Sequence, residues 1–288
     1  MKRIYCLVLI LTSSFAMAEP LYWQASKGKL NYLITGSVHV GDDSMYPLPT
    51  NLTTFLQHSN GIVVETDIRN TSGVQYPSTT VTTQQVLSDA RQKELIGISK
   101  LLGINDQQLL LAPPWASALT IQMKLVEYLG YKAQDGVDLW LLSQASAQGK
   151  QVYSLETMQF QINLLARLPN GGEELLTSAI DDFDHMEDAA HCLIKSWKHG
   201  DINKLNEFAR LSEMSPELED AFLFQRNRDW AKQLANGTLF PNHEGNYLIV
   251  VGALHLLGRN SVLELLQAQG FTVTQRSKST TANCEFKY

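Results

Sequence analysis

The spacing of apolar residues changes twice along this chain. Near the start, residues 21–26 and 30–35 are short β-type runs separated by Lys27-Gly28-Lys29. Two such runs around a glycine turn predict a hairpin. Residues 61–67, Gly-Ile-Val-Val-Glu-Thr-Asp, read as a buried strand that runs into acidic side chains. Residues 52–58 suit a short helix, and 70–83, rich in Ser and Thr, suit an irregular segment. From about residue 84 the period becomes helical. Helices are expected over 91–102, stopped by Gly103, and over 115–129 behind Pro113-Pro114. Others are expected over 137–147, 173–198, 202–211 and 216–234. A lone strand, 151–155, interrupts this block, and Glu156 is expected to open a helix directly after it. Strand 247–251, helix 260–269 and strand 271–274 then restore the α/β alternation. The pattern predicts an α/β fold with a central mixed sheet from both chain ends. Helices surround it, and a large helical middle, about 84–235, is inserted.

One phrase occurs in both strand-rich ends. Tyr32-Leu33-Ile34-Thr35-Gly36-Ser37-Val38-His39 and Tyr247-Leu248-Ile249-Val250-Val251-Gly252-Ala253-Leu254-His255 are each an apolar strand that stops at Gly-x-x-His. Gly permits a sharp turn or a close approach. A His just past a strand lies where open α/β sheets bind ligands. If one sheet carries both strands, two imidazoles meet at one edge, and neutral imidazole is a common ligand for divalent metals. A hydrogen-bonded structural histidine is the plainer reading of either one alone.

Composition narrows the setting. Lys2 and Arg3, the apolar run from Cys6 to Leu11 and Ala16-Met17-Ala18 have the form of a secretory signal peptide over residues 1–18. Residues 19–288 then form one domain in the periplasm or outside the cell. Removing the leader leaves 21 basic and 29 acidic residues, a net charge of −8, which argues against a nucleic-acid partner. No later apolar run is long enough to anchor the chain in a membrane. Export places Cys192 and Cys284 in an oxidising compartment, so a disulfide between them is expected.

Three further sets of residues have chemistry to offer. Glu65 and Asp67 share a face if the strand continues through them, as a ligand and a general base; a strand ending in solvent also gathers charge. Glu156 is a second carboxylate at a strand end, although a helix N-terminus attracts such a residue for its own sake. Arg226-Asn227-Arg228-Asp229 offers a cation for substrate or oxyanion, or simply a solvated face with an Arg226–Asp229 pair. His185 and His191 lack metal-helix spacing, and neither a Gly-x-Ser-x-Gly elbow nor a phosphate-binding glycine loop occurs.

With Gly36-Ser37-Val38-His39, Val63-Val64-Glu65-Thr66-Asp67, Gly136-Val137-Asp138, Leu155-Glu156-Thr157, Gln159, Gln161, Arg226-Asn227, Trp230 and Gly252-Ala253-Leu254-His255-Leu256-Leu257-Gly258 in this order, the chain resembles the TraB/GumN/Tiki superfamily. The likeness is to its bacterial GumN-like branch and covers nearly the entire mature chain. The resemblance implies a fold similar to erythromycin esterases and ChaN-like haem-binding proteins. It also implies that the paired Gly-x-x-His histidines form an active site, since Tiki members are metal-dependent proteases acting outside the cell. On that footing His39, His255 and Glu65 hold a divalent zinc, manganese or cobalt ion. Gly36, Gly252 and Asn227 support them, and Glu65, Glu156 and Arg226 take catalytic parts on a peptide or protein substrate. The alternatives are a non-catalytic pocket for haem, metal or peptide, and a metal-independent esterase-like hydrolase with a histidine base.

Overall fold

The computed structural model describes residues 18–211 and 214–287. The expected leader falls outside them, apart from its last residue. The expected α/β class is what forms. Six strands, β1 (Tyr22–Lys27), β2 (Leu30–Ser37), β3 (Gly61–Val64), β4 (Gln151–Ser154), β5 (Gly245–Gly252) and β6 (Thr272–Gln275), make one sheet in the order β4-β3-β5-β2-β1-β6. β1 and β2 are the predicted antiparallel hairpin, closed at Lys27 opposite Leu30. β2, β5, β3 and β4 run parallel, so their carboxyl ends share one edge. β2, β3 and β5 are almost wholly buried, as continuous apolar runs in parallel sheets require.

Helices α1 (Thr50–His58), α2 (Thr83–Val86), α3 (Asp89–Leu102), α4 (Asp106–Leu111), α5 (Pro114–Tyr128), α6 (Val137–Ala147) and α7 (Met158–Ala166) precede α8 (Glu173–Asp181), α9 (Met186–His199), α10 (Ile202–Leu211), α11 (Pro216–Glu219), α12 (Gln225–Asn236) and α13 (Val262–Ala268). The sheet and its flanking helices share one hydrophobic core. A second cluster, including Leu95, Ile98, Leu109, Ile121 and Leu176, is buried among the inserted helices.

Some boundaries differ from the sequence reading. The segment expected as one helix over 173–198 is α8 and α9, separated by a 3-10 turn at Phe183–His185. The helix expected over 216–234 is α11 and α12 joined by a π turn at Asp220–Phe224. Helix α7 starts at Met158 with Thr157 capping it, its hydroxyl accepting the Phe160 N–H, so Glu156 stays on the strand-side turn. β3 ends at Val64, which removes the alternation that was to put Glu65 and Asp67 on one face. Helices α2 and α4 lie outside the helical ranges that the sequence predicts.

Three features set the approach of the two Gly-x-x-His segments. In the β2–β5 register, Gly36 lies opposite Val251 and Ser37 opposite Gly252. The Trp197 indole N–H of α9 donates to the Gly36 carbonyl at 2.8 Å in a buried bond. A Cβ on Gly36 would lie 2.8 Å from the Ala253 Cα and 3.0 Å from its Cβ. Gly36→Ala should therefore cost about 1–3 kcal/mol through overpacking. An unchanged midpoint in thermal unfolding would show that the strands spread freely. The expected Cys192–Cys284 disulfide is present, with Cα atoms 5.5 Å apart, and it ties the chain end to the helix that carries Trp197.

Candidate functional site

Each of the four parallel strands delivers one predicted residue just past its carboxyl end. His39 follows β2, His255 follows β5, Glu65 follows β3 and Glu156 follows β4. This is the edge at which α/β sheets bind ligands. The β3–β4 ladder continues past both strands through Leu155 N–H to Val64 O and Glu156 N–H to Glu65 O. That pairing sets two carboxylates side by side in a buried place, an arrangement that needs a cation.

Arg226 of α12 is that cation. Arg226, Asn227, Trp230, Ala231 and Leu234 are all buried, at the i, i+1, i+4, i+5 and i+8 spacing of one helix face. The hydroxyl of Tyr32 in β2 donates to the Leu234 carbonyl at 2.7 Å, so the helix is pinned to the sheet. Arg226 Nη2 donates to Glu65 Oε2 at 2.7 Å and to Glu156 Oε1 at 2.6 Å. Its Nε donates to Glu156 Oε2 at 3.1 Å, and its Nη1 to the Phe222 carbonyl at 2.9 Å. Nη1 also lies 3.3 Å from His255 Nε2. All five N–H groups of the guanidinium are thus engaged. Arg226 has none left for a substrate or an oxyanion, and it does not form the solvated pair with Asp229. Trp230 Nε1 and Gln161 Nε2 add bonds to Glu156 at 3.1 and 2.8 Å.

His255 belongs to this buried cluster. The Asn227 amide nitrogen donates to the Asn260 carbonyl at 2.9 Å, which turns its oxygen to His255 Nδ1 at 2.6 Å. Nδ1 therefore carries the proton, and Nε2 accepts from Arg226. Burial, with Arg226 and His39 adding to it against the pull of Glu65, lowers the His255 pKa to about 4. Burial alone would raise Glu65, but the neighbouring His255, the charges of Arg226 and His39 and the Gly252 N–H at 2.6 Å outweigh it and hold Glu65 low. His255 should consequently show no titration between pH 5 and 8 in its ring nitrogen NMR shifts. Its contribution to stability is complete above the ordinary value near 6.5 and is lost as pH falls from there towards 4. A ring that titrates near 6.5 contradicts this placement.

His39 is different. Its side chain is 66% exposed, and Nδ1 lies 2.7 Å from Asp138 Oδ2. A carboxylate only accepts, so Nδ1–H donates and Nε2 is the open position. The Asp138 hydrogen bond raises its pKa to about 8 against partial desolvation of the ring, with the charges of Asp138 and Glu65 helping and Arg226 opposing. Asp138 sits in the first turn of α6, whose Val137 N–H donates to the Val38 carbonyl at 3.0 Å. Gly136 lets this helix start close by: a Cβ there would meet the His39 carbonyl oxygen at 2.6 Å. Asp138 stood in the motif set, but its role was not legible, because 99 residues separate it from His39. Trp230 and Gln161 were named likewise without their part. Asp67 is not in the site; it pairs with Arg69 at 2.7 Å.

A divalent ion shared by His39, His255 and Glu65 needs an open lone pair on each and no competing cation nearby. The donors do not fit that need. Glu65 spends one oxygen on Gly252 and the other on Arg226, and His255 Nε2 faces the same guanidinium. Among the described residues, no three His, Cys, Asp or Glu side chains converge as an ion's ligands. What the geometry offers instead is an open imidazole backed by a carboxylate, over a buried and fully paired charge cluster.

The TraB/PrgY/gumN family pattern matches residues 21–275. The uncharacterized protein YbaP of Escherichia coli (strain K12) is 30% identical over 244 residues, covering 83% of this chain and 89% of that protein. The uncharacterized protein YbaP of Shigella flexneri is 31% identical over 238 residues, 81% of this chain and 87% of that one. No solved structure gives a significant match. A family pattern that spans the sheet, both Gly-x-x-His segments and every residue of the buried cluster establishes that this chain belongs to the TraB/PrgY/gumN family.

Proposed function

We propose that the protein is a hydrolase of exported peptides, in which His39 is the general base. The observation that carries this is the His39–Asp138 pair, with Nε2 open at the mouth of the site. A histidine oriented by a carboxylate through Nδ1 is the arrangement that accepts a proton at Nε2 and holds it as imidazolium. Water beside Nε2 loses its proton to the ring as its oxygen bonds to the scissile carbonyl carbon. The ring then returns that proton to the departing amine. Asp138 stabilises the charged ring throughout, and Glu65 adds a negative field from below. Glu156, Arg226 and His255 take no proton in this scheme. Their bonds hold the floor of the site in place and keep Glu65 ionised.

The peptide substrate rests on the resemblance to a superfamily whose Tiki members are proteases, and the periplasmic or secreted setting on the leader. The test uses purified full-length protein with peptide and ester panels. Each is run in a chelator and again with added zinc, manganese or cobalt. Cleavage of a peptide that survives the chelator and is lost in His39→Gln is the expected result. Cleavage that demands added metal reassigns His39 as a ligand. Cleavage of neither class under any condition leaves the family fold with a binding role only and removes the hydrolase reading.

A further inference from the structure

A groove of about 360 Å³ runs along α7, lined by Thr157, Gln159, Phe160, Asn163, Leu164 and Arg167. It adjoins the site through the helix itself. Gln161 of α7 donates to Glu156 and Glu65, and on a helix Gln161 neighbours Thr157 four residues before and Leu164 three residues after. The far edge is also defined. The Gln159 side-chain amide bonds both the N–H and the C=O of Gln75, at 2.8 and 2.9 Å, so an irregular segment is pinned to the groove's rim.

The lining states what fits. Phe160 is 43% exposed, and Leu164 lies one turn further along the same wall. Arg167, at the distal end, is exposed and makes no ion pair or side-chain hydrogen bond among the described residues. Arg226 is saturated, whereas the Arg167 fork has no partner among the described residues. Seven residues separate Phe160 from Arg167, about 10 Å along the helix at 1.5 Å per residue. An extended peptide spans that with about three residues.

We infer that the groove takes the segment of substrate beside the bond to be cut. The occupant is an extended acidic peptide with an apolar side chain against Phe160 and Leu164, and a carboxylate about three residues on, received by Arg167. Its identity as substrate rests on the hydrolase reading above; the binding itself does not. Recognition is by apolar contact near the bond and by a planar guanidinium–carboxylate pair at the far end.

The test uses full-length His39→Gln protein, so that nothing is consumed, and two dye-labelled hexapeptides. Both carry Phe at the second position; one has Asp and the other Lys at the fifth. Fluorescence polarisation at low salt, where exposed charges are least screened, should show the Asp peptide binding about fivefold more tightly. Adding Arg167→Glu should reverse that order, and adding Phe160→Ala should weaken both peptides. Equal binding of the two peptides that Arg167→Glu leaves unchanged, or no binding of either, overturns the inference. Turnover by wild type is read separately. A groove that binds beside a centre that does not cleave sinks only the hydrolase reading, and cleavage without a charge preference sinks only the groove.

Discussion

Arg226→Met should destabilise the protein by about 3–5 kcal/mol, because it leaves two buried carboxylates without their cation. Chemical unfolding at pH 7 measures this. The pH dependence is the sharper part. In the wild type the Glu65 pKa is lowered. Its stabilisation is therefore present above the unfolded carboxylate value of about 4.3 and is lost as pH falls through the folded value. Without Arg226, His255, His39 and the Gly252 N–H still oppose burial, but the folded pKa rises. Glu65 then contributes less stability at pH 7 in the variant, and the variant has less of it to lose in acid. The gap between wild type and Arg226→Met should hence narrow between pH 7 and 4. Arg226→Met combined with Glu65→Gln and Glu156→Gln should recover much of the loss, since no bare charge remains buried. A cost below about 1 kcal/mol, or a gap that widens in acid, is incompatible with the paired cluster.

The second large effect concerns rate. His39→Gln should lower kcat by about 10²–10⁴-fold, the usual contribution of a general base, with little change in the thermal midpoint because the ring is largely exposed. In the wild type kcat/KM should rise with pH up to about 8, as the His39 imidazolium gives up its proton. Asp138→Asn replaces the charged acceptor, whose hydrogen bond contributes most to that raised value, with a neutral and weaker one. The rising limb should then move to lower pH while the maximal rate falls, since the charged ring loses its support. A His39→Gln protein with wild-type turnover, or an Asp138→Asn limb that stays at 8, counts directly against the assigned roles.

These roles explain why the twin histidines part company. Both sit past adjacent parallel strands, yet the residues that meet them come from elsewhere. α12 brings Arg226 and Asn227 under His255, and burial, with the charge of Arg226 adding to it, leaves that imidazole uncharged. α6 brings Asp138 to His39, which stays exposed. The same motif thus produces a structural member and a reactive one. Their difference lies in neighbours 28 residues away for His255 and 99 away for His39.

Much of the architecture was legible because it is local. A run such as Ile62-Val63-Val64 has to be buried, Gly-x-x-His has to end a strand, and α6 formed over the predicted residues. A single glutamate or arginine carries no such period. Asp67 and Glu65 were grouped by alternation that a strand of four residues did not sustain. Arg226 was legible as a cation but not as one with all its donors spent.

By itself, then, the sequence determined the α/β class, the hairpin, the disulfide pair and the set of residues gathered at one end of the sheet. Apolar periodicity and glycine stops act over a few residues, and each can be read where it stands. Only the tertiary structure decided which histidine stays open, which carboxylates share Arg226, and that the same guanidinium reaches His255. Those outcomes depend on burial and on charges brought within about 3 Å across the fold, and the pattern of a chain does not contain such distances.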